Sequence, residues 1–476
     1  MKRQINLIII TFLSFFIGQS QETGAIEGKI ISKDGFPLSG VSIKLGKKAS
    51  VSKTDENGLF FFKSFPVGLH TITIEAEGLK KQTQDIKVVA NETTKVTFNL
   101  EEQMETLREI VIVIKESPNK RKVSAVRSGL KPLDIPQSMQ TIDNEIIAQQ
   151  QAIRLSEVIK NANGVYVGSA RGGTQESFWS RGYDMSANNM FKNGFRYNSG
   201  SIPEVSSLDK VEFLKGGSAL LYGNVAPGGM LNLITKTPPF IQGGEIALPP
   251  GSFAFYKPSI DFYGPLNKSI AYRLNASYEN SESFREVVKR ERYYINPSFL
   301  LNISSKTQLT LQGDFMNDDW TPDFGTILIG KQIYEVPRGN YYGALWSNGN
   351  TKTASASALL NHSFNKNWKL NFNSSYQNYD REWKGTERIQ ITNPNGTWSR
   401  PLGQNKNLEA ILGEQISLQG CFTTGKIKHQ TFSGIDYENS VATAHTFVFT
   451  PTTYDTINVF TFDPNNQATT EPNAVN

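Results

Sequence analysis

The stretch that decides the fold reads Asp209-Lys-Val-Glu-Phe-Leu-Lys-Gly-Gly-Ser-Ala-Leu-Leu-Tyr-Gly-Asn-Val-Ala-Pro-Gly-Gly-Met-Leu-Asn-Leu-Ile-Thr-Lys236. Apolar residues gather at its two ends and glycines in its middle, which predicts two short strands joined by a glycine-rich turn. A phosphate-binding loop is excluded, because such a loop ends on its lysine, followed by Ser or Thr and a helix, whereas Lys215 comes first here.

Residues 123–238, which surround this stretch, mix extended and helical patterns. Ile135 precedes a proline, which disfavours helix and predicts an extended entry segment. Asp143 is a candidate helix N-cap, and Leu155, Val158 and Ile159 fall on one face of a second short helix. We therefore expect a mixed α+β globule.

Four motifs in this globule resemble the plug domain of TonB-dependent outer-membrane siderophore receptors: Ile135-Pro-Gln-Ser138, Ser180-Arg-Gly-Tyr-Asp184, Asn193-Gly194 and the opening stretch. The resemblance implies a plug inside a β-barrel. It also implies a plug-to-barrel lock at Arg181 and Lys215, whose charges pair with glutamates of the wall. Lysine where arginine is usual, and Gly217 where proline is usual, indicate a looser lock. The alternative is that Arg181 and Lys215 are ordinary surface charges exposed to water.

Two plug loops combine arginine with aromatic residues, and the resemblance places them at an apex that faces the outside. We predict that Arg171, Phe195, Arg196 and Tyr197 contact the ligand, with ordinary packing as the alternative. Aromatic faces with a few polar groups suit a ferric siderophore, a bulky and often anionic chelate. The iron arrives already coordinated, so no cofactor is expected to be bound by the protein itself.

Residues 239–476 alternate apolar and polar side chains, most clearly at 270–278 and 368–377. This period of two is typical of transmembrane β-strands that turn the apolar side to lipid and the polar side to the lumen. A soluble β-sandwich with one wet face gives the same pattern. The segment suffices for roughly ten strands, against about 22 in plugged transporters. We therefore expect a truncated, N-terminal part of a barrel that does not import by itself.

Residues 103–122 form a charged linker around one β-prone run. The resemblance implies that this run is the TonB box, formed by Glu109, Ile110, Val111, Ile112 and Val113. The TonB–ExbB–ExbD energy-coupling complex then captures it by strand addition, which uses main-chain hydrogen bonds. The alternative is that the run is the last strand of the preceding domain.

Residues 22–102 contain about seven short β-rich runs separated by turn dipeptides such as Asp34-Gly35 and Asn57-Gly58. The spacing predicts a small antiparallel β-sandwich. The segment resembles the carboxypeptidase-regulatory-like domain that precedes the plug in receptors of Bacteroidetes-type bacteria. An interaction or folding module in the periplasm and a passive spacer both stay open.

An apolar run at residues 5–17 follows Lys2 and Arg3 and precedes Gly18-Gln-Ser20. This pattern predicts a secretory signal peptide over residues 1–20, with a buried N-terminal helix as the alternative. The chain as a whole, at 38% hydrophobic residues and with a negative mean hydropathy, does not suit a helical membrane protein.

Composition excludes several other classes of function. The net charge of +5 comes without a basic block, so nucleic acid is not an expected partner. The four histidines show no ligand spacing, which predicts no metal site. Cys421, the single cysteine, cannot form an internal disulfide, and we expect a buried thiol. No catalytic constellation is found, so we do not expect an enzyme.

The combined prediction is a mainly β protein with an N-terminal β-sandwich, an α+β plug and a partial transmembrane antiparallel β-barrel. It is expected in the cell outer membrane, with its N-terminal domain in the periplasm, as an importer of a ferric siderophore. A SusC-type oligosaccharide importer and a non-transporting exported adhesin or binding protein are the alternatives. The run Ala226-Pro-Gly-Gly-Met-Leu-Asn232 favours the siderophore branch, because the sugar branch usually reads more like Gly-Ala-Asn-Gly-Val.

Overall fold

The computed structural model describes residues 22–32, 35–46, 50–76, 82–100, 123–127, 132–171, 173–185, 188–198, 200–217, 219–325, 327–391, 393–464 and 466–475. The predicted signal peptide and the predicted TonB box lie outside these residues. Contacts divide the chain into two compact units, Met1–Ser117 and Pro118–Asn476. Within the described ranges, no helix has the length and apolar character needed to cross a membrane.

The first unit is a β-sandwich of two sheets. Its strands are β1 (Thr23–Ser32), β2 (Ser42–Leu45), β3 (Ser50–Lys53), β4 (Leu59–Pro66), β5 (Gly68–Glu75), β6 (Gln82–Val88) and β7 (Thr93–Leu100). One sheet has the order β4-β1-β7 and the other β3-β2-β5-β6. Alternate residues of both sheets point inward and form one apolar core, which includes Ile26, Ile30, Ile43, Ile72 and Phe98.

Strand pairing in the sandwich is not purely antiparallel, because β1 and β7 run parallel. The prediction of an antiparallel sandwich is wrong at this pair. After β6 the chain crosses to the other sheet, where β7 lies beside β1 and runs in the same direction. The Asn57-Gly58 turn forms as predicted. Gly58 has φ +74°, and the carboxylate of Asp55 accepts hydrogen bonds from the backbone of Asn57 and Leu59.

The second unit begins with the plug, residues 123–238. Its elements are a 3-10 helix (Pro132–Asp134), β8 (Ser138–Asp143), α1 (Asn144–Gln149), α2 (Leu155–Ile159), β9 (Val165–Arg171), β10 (Gln175–Ser180), β11 (Tyr183–Asp184), β12 (Met190–Lys192), β13 (Phe195–Arg196), β14 (Leu208–Lys215), α3 (Ala219–Tyr222) and β15 (Met230–Thr235). The sheets have the orders β13-β12-β15-β14-β8 and β11-β10-β9. Leu155, Val158 and Ile159 lie in the plug core, as their shared helical face predicts.

The opening stretch forms two antiparallel strands, β14 and β15, as predicted. Glycine is required at Gly229, where φ is +128° and a Cβ atom would lie 2.7 Å from the carbonyl oxygen of Leu214. The short helix α3 in the connection was not predicted. Glu212 of β14 is fully buried, and its carboxylate accepts the backbone N–H groups of Ser124 and Ala125. The stretch therefore fastens the entry of the chain into the plug.

Most of the remaining chain forms one large antiparallel sheet, which we call the wall. Its strands, in spatial order, are β16 (Gly243–Ala247), β17 (Ser259–Pro265), β18 (Ile270–Glu282), β19 (Lys289–Ser304), β20 (Thr307–Trp320), β23 (Asn348–Ser363), β24 (Trp368–Thr386), β25 (Thr397–Thr424) and β26 (Ile427–Thr446). Between β20 and β23 lies a small hairpin of β21 (Leu328–Ile329) and β22 (Gln332–Ile333). β27 (Val448–Phe449), β28 (Thr453–Asn458) and β29 (Ala474–Val475) follow β26, and β28 pairs with the first residues of β25 as a tenth strand of the wall.

The two faces of the wall differ in chemistry, as the alternating pattern predicts. Buried polar residues such as Asn275, Glu279 and Asn296 lie on the face that meets the plug, whereas exposed apolar residues such as Ile295 and Phe315 lie on the other. Connections at one end are short, at 266–269, 305–306, 364–367 and 425–426. Those at the other end are longer, at 248–258, 283–288, 321–347 and 387–396.

Two of the long connections, 321–347 and 387–396, contribute to an apolar cluster that includes Ile327, Ile391 and Trp398. Beside this cluster, Arg400 is fully buried, and its guanidinium donates to Asp455 at 2.6 Å. The end of the wall that carries the long connections is therefore an ordered structure in its own right.

Cys421 is exposed, so the prediction of a buried thiol is wrong. The residue lies close to the end of β25, next to the short connection at 425–426. Strand ends carry less packing than strand centres, which leaves this side chain accessible.

Candidate functional site

Ion pairs join the plug to the wall on the side of β18. The Nη1 atom of Arg154, which precedes α2, donates to the carboxylate of Glu279 on β18 at 2.7 Å. Lys257, just before β17, places its Nζ atom 2.9 Å from the carboxylate of Glu204 in the plug. Both carboxylates are 1% exposed. Charges so far from water are tolerated only when they are paired, so these contacts hold plug and wall together.

The electrostatics of the plug side follow from these pairs. Burial works against the charge of Glu204, but Lys257 and Arg292 outweigh it and hold the pKa of Glu204 at about 2. Burial likewise works against the charge of Arg154, and Glu279 more than compensates, so that the pKa of Arg154 is raised. Both plug residues are therefore ionised at neutral pH.

A second group of polar contacts surrounds the short hairpin of β12 and β13. Lys192 is paired with Asp314 of β20, and both side chains are largely buried. The Nε atom of Arg196 donates to Glu438 of β26 at 2.7 Å. Burial lowers the pKa of Lys192 to about 7. Whether or not the amine of Lys192 is protonated, the Lys192–Asp314 pair carries no net positive charge.

A cavity lies between this hairpin and the wall. It is small, at about 20 Å³, which is room for about one water molecule. The plug contributes Lys192, Phe195, Arg196 and Tyr197, and the wall contributes mainly serine and amide side chains of β20, β23 and β24. Its lining combines two aromatic rings with polar side chains.

Three of the four predicted ligand residues, Phe195, Arg196 and Tyr197, meet at this cavity. Phe195 and Tyr197 are each 6% exposed, and the Phe195 ring packs on Gly413 of β25. Arg171 is the last residue of β9, and its side chain lies outside the described part of the structure. The carbonyl of Gly173 accepts a hydrogen bond from Arg290, which lies at the start of β19. Ligand contact by these residues stays a prediction.

The two predicted lock residues lie close to each other within the plug. The amine of Lys215 donates to the carbonyl of Asn163, and burial together with the charge of Arg181 lowers the pKa of Lys215. Arg181 has a φ of +53°. Neither residue forms an ion pair with a wall residue in the described ranges, so their lock role stays a prediction.

The plug cations that do contact wall carboxylates were missed by sequence reasoning. They are Arg127, Arg154, Lys192, Arg196 and Lys236. The partners of Arg154 and Arg127 lie 125 and 309 residues further along the chain. Alternation along β18 places Glu279 on the face of the polar residues, so the sequence could have indicated that this carboxylate meets the plug. It does not indicate that Arg154 is the partner.

Metal ligation has no support among the described residues, where no group of three or more His, Cys, Asp or Glu side chains is placed to hold an ion.

Comparison with known proteins assigns the two kinds of domain. A family model described as the TonB-dependent Receptor Plug Domain matches residues 131–230, and one described as the Carboxypeptidase regulatory-like domain matches residues 25–101. The Metal-pseudopaline receptor CntO of Pseudomonas aeruginosa (strain UCBPP-PA14) is 27% identical over 332 residues, which cover 67% of this chain and 46% of that protein. The Catecholate siderophore receptor Fiu of Escherichia coli (strain K12) is 26% identical over 355 residues, covering 69% and 46%.

Solved structures agree on the fold. The closed form of the Ferric-Catecholate import receptor Fiu of E. coli K12 matches with a TM-score of 0.66 at 25% identity, covering 72% of this chain and 52% of that one. The ferripyoverdine receptor of the P. aeruginosa outer membrane matches with a TM-score of 0.69 at 19% identity, covering 79% and 51%, and this likeness shows the fold alone. The chain spans about half the length of the relatives that it matches.

A plug seated against the polar face of a large antiparallel sheet defines the class of plugged β-barrel receptors. The chain is a TonB-dependent receptor sequence that carries a carboxypeptidase-regulatory-like domain ahead of its plug. Homologous TonB-dependent receptors are transport proteins of the outer membrane and are not enzymes.

Proposed function

We propose that this chain serves in an outer-membrane receptor that imports a ferric siderophore. The observation that carries the proposal is the plug, matched over residues 131–230 and seated against the polar face of the wall. Polar contacts suit a plug that must stay closed and yet rearrange, because each can be exchanged for contacts with water.

The relatives differ in the cargo that their names state, which includes a metal–pseudopaline complex, a catecholate siderophore, ferripyoverdine and ferrioxamine. A metal chelate is common to all of them. We extend that class, and no single chelate, to this chain. The ferric ion enters as cargo held by the siderophore, with Phe195, Arg196, Tyr197 and Arg171 proposed as contacts.

Energy coupling is proposed to act through residues 109–113. In this proposal TonB, driven by ExbB and ExbD, captures the run Glu109-Ile-Val-Ile-Val113 by strand addition and pulls on the plug. Strand addition suits this run, since β-branched residues favour extended pairing. The regulatory-like domain precedes the run in the chain and is proposed to lie with it in the periplasm, and the lock at Arg181 and Lys215 is proposed to resist the pull.

Growth on defined iron sources tests the proposal. A strain that lacks the gene is grown under iron limitation with single chelates, with vitamin B12 and glycans as comparison substrates. We expect growth on at least one ferric chelate to depend on the gene, and induction of the gene by iron limitation. If no chelate depends on the gene and iron does not regulate it, the siderophore proposal fails.

The oligosaccharide importer is the second candidate, since the regulatory-like domain precedes plugs of that branch as well. Gene-dependent growth on a glycan, but not on ferric chelates, would select it. An exported adhesin or binding protein is separated from both importers by fractionation. Outer-membrane location with heat-modifiable migration is expected for an importer, and a soluble periplasmic product would exclude import.

A further inference from the structure

The long-connection end of the wall carries an exposed cluster of aromatic and arginine side chains, which we call the rim patch. It consists of Phe253, Phe284, Arg285 and Arg338. The ring centres of Phe253 and Phe284 lie 6.5 Å apart, and the two residues are 53% and 38% exposed. The guanidinium carbon of Arg338 lies 4.2 Å from the centre of the Phe284 ring, and that of Arg285 lies 5.5 Å from it. Exposed apolar groups rimmed by polar ones mark interaction sites.

The backbone around the rim patch is strained. Phe253, Ala254 and Val287 have φ angles of +59°, +50° and +72°, a region that residues with a Cβ atom rarely adopt and β-branched valine least of all. The carbonyl of Phe253 accepts the backbone N–H of Glu282 at 2.8 Å, which fixes the loop that carries the Phe253 ring. Strain of this kind persists where the surrounding structure holds it, and it concentrates at binding surfaces.

Hydrogen-bonding groups of both kinds surround the exposed rings. Arg338 is exposed, and its guanidinium has no acceptor or ion-pair partner among the described residues. Glu282 and Glu286 add exposed carboxylates, and the backbone N–H of Glu286 donates to Gly339, next to Arg338. Guanidinium groups donate, carboxylates accept, and hydroxyl groups of a ligand do both. The rim patch therefore suits a hydroxyl-rich saccharide better than a bare phosphate, which the two carboxylates repel.

The position of the rim patch follows from the faces of the wall. Glu279 meets the plug, so its neighbour Tyr278 lies on the opposite, outer face of β18. The ring of Tyr293, on β19, lies 4.9 Å from that of Tyr278, and Tyr293 is 48% exposed. Exposed tyrosines at the border of an apolar face are typical of the interface between lipid and water.

The distance from this interface selects the kind of lipid. Phe284 follows Tyr278 by six residues, a rise of up to about 15 Å on a tilted strand. The headgroup layer of a phospholipid leaflet is only about 5–8 Å thick. A headgroup that reaches the rim patch is therefore larger than that of a phospholipid, and a chain of sugars has the necessary length.

From these observations we propose that the rim patch binds the saccharide headgroup of a glycolipid in the outer leaflet of the membrane. The inference rests on the proposed function, because it requires the wall to span the outer membrane. Sugar rings lay their C–H faces on Phe253 and Phe284, and their hydroxyl groups accept from Arg338 and donate to Glu282. Since the rim patch joins the connections that follow β16, β18 and β20, the bound headgroup holds these three connections together.

Native mass spectrometry of the full-length receptor, purified in detergent from its own host, tests this binding. The receptor is stripped of lipid by detergent exchange and titrated with lipopolysaccharide from the host or with phosphatidylethanolamine. We expect the lipopolysaccharide to bind at least tenfold more tightly. Equal affinity for the two lipids overturns the inference without any variant having to fold. The saccharide freed from its lipid by mild acid should bind more weakly than the intact molecule, and equal binding overturns the assignment to a membrane lipid.

Variants assign the binding to the rim patch. Phe284→Ala and Arg338→Ala are each expected to weaken lipopolysaccharide binding about three- to tenfold, the effect of losing one partner of an exposed guanidinium–ring contact together with its ligand contact. Phe460→Ala and Arg388→Ala are the matched controls, because both residues are exposed and lie outside the patch. They should leave binding unchanged, and an equal loss in patch and control variants contradicts the inference.

Failure of the inference and failure of the proposed function are distinguishable. Strains that carry Phe284→Ala or Arg338→Ala should keep their growth on ferric chelates. If the unaltered receptor does not prefer the glycolipid while chelate-dependent growth persists, the inference falls and the import of a ferric siderophore stands. A soluble periplasmic product without chelate-dependent growth overturns both.

Discussion

Replacement of Glu204 by glutamine tests the idea that buried ion pairs hold the plug in place. The carboxylate lies 2.9 Å from the amine of Lys257 and accepts the backbone N–H of Ser206. Its pKa falls from the ordinary value of 4.5 to about 2. At about 1.4 kcal/mol for each pKa unit, this difference corresponds to about 3 kcal/mol of stabilisation. Removal of one partner from a buried pair costs roughly 3–5 kcal/mol, which agrees.

Hydrogen–deuterium exchange of the detergent-purified protein measures this energy locally. A loss of about 3 kcal/mol raises the exchange rate of plug amides near residues 200–215 about a hundredfold, if they exchange by local opening. Glu382→Gln is the matched control. Its carboxylate is 40% exposed and lies 3.2 Å from Lys406, so about 0–1 kcal/mol is expected.

The pH dependence provides an independent arm of the same test. Because the pKa of Glu204 is depressed in the folded state, its contribution is fully present above pH 4.5 and is lost as the pH falls toward about 2. The unaltered protein should show this loss in plug stability, and Glu204→Gln should lack it. Equal exchange in the Glu204→Gln and Glu382→Gln variants, or the same acid profile with and without Glu204, would refute the reasoning.

Two further substitutions test packing. Gly413→Ala places a methyl carbon 2.6 Å from the Phe195 ring, so we expect a loss of about 1–3 kcal/mol in plug seating, seen as faster proteolysis of the plug. Gly217→Ala meets no atom within 4 Å and is the control, and an equal effect of both changes contradicts the prediction. In the sandwich, Phe98→Ala removes a ring that is 1% exposed and should cost about 3–5 kcal/mol, seen as a lower thermal midpoint. Phe61→Ala, at 46% exposure, should change the midpoint little, and a matching loss there would show that burial does not set the cost.

Local structure was predictable wherever a short pattern has one physical solution. Asn57-Gly58 forms its turn because glycine tolerates a φ of +74°. Leu155 and Val158 enter the plug core because their spacing puts them on one helical face. Alternation in the wall strands predicted which side chains meet the plug, since successive residues of a strand point to opposite faces.

Predictions that depended on position in space were less successful. The parallel pairing of β1 with β7 depends on where the chain returns after β6. The exposure of Cys421 depends on its place near a strand end. For the candidate site, the sequence predicted ligand contact by Arg171, Phe195, Arg196 and Tyr197, and this stays a prediction. The structure places the last three of them at one cavity, whose wall side chains the sequence did not identify.

The sequence by itself determined the kinds of element in this protein, the alternating faces of the wall and the presence of a plug, because these follow from periodicity and from local turn chemistry. Only the tertiary structure decided which charges meet. Arg154 reaches Glu279 and Lys192 reaches Asp314 because the plug docks in one orientation and the wall strands hold one register. Docking and register are set by the packing of many residues at once, and no single local pattern specifies the partner that a buried charge will find.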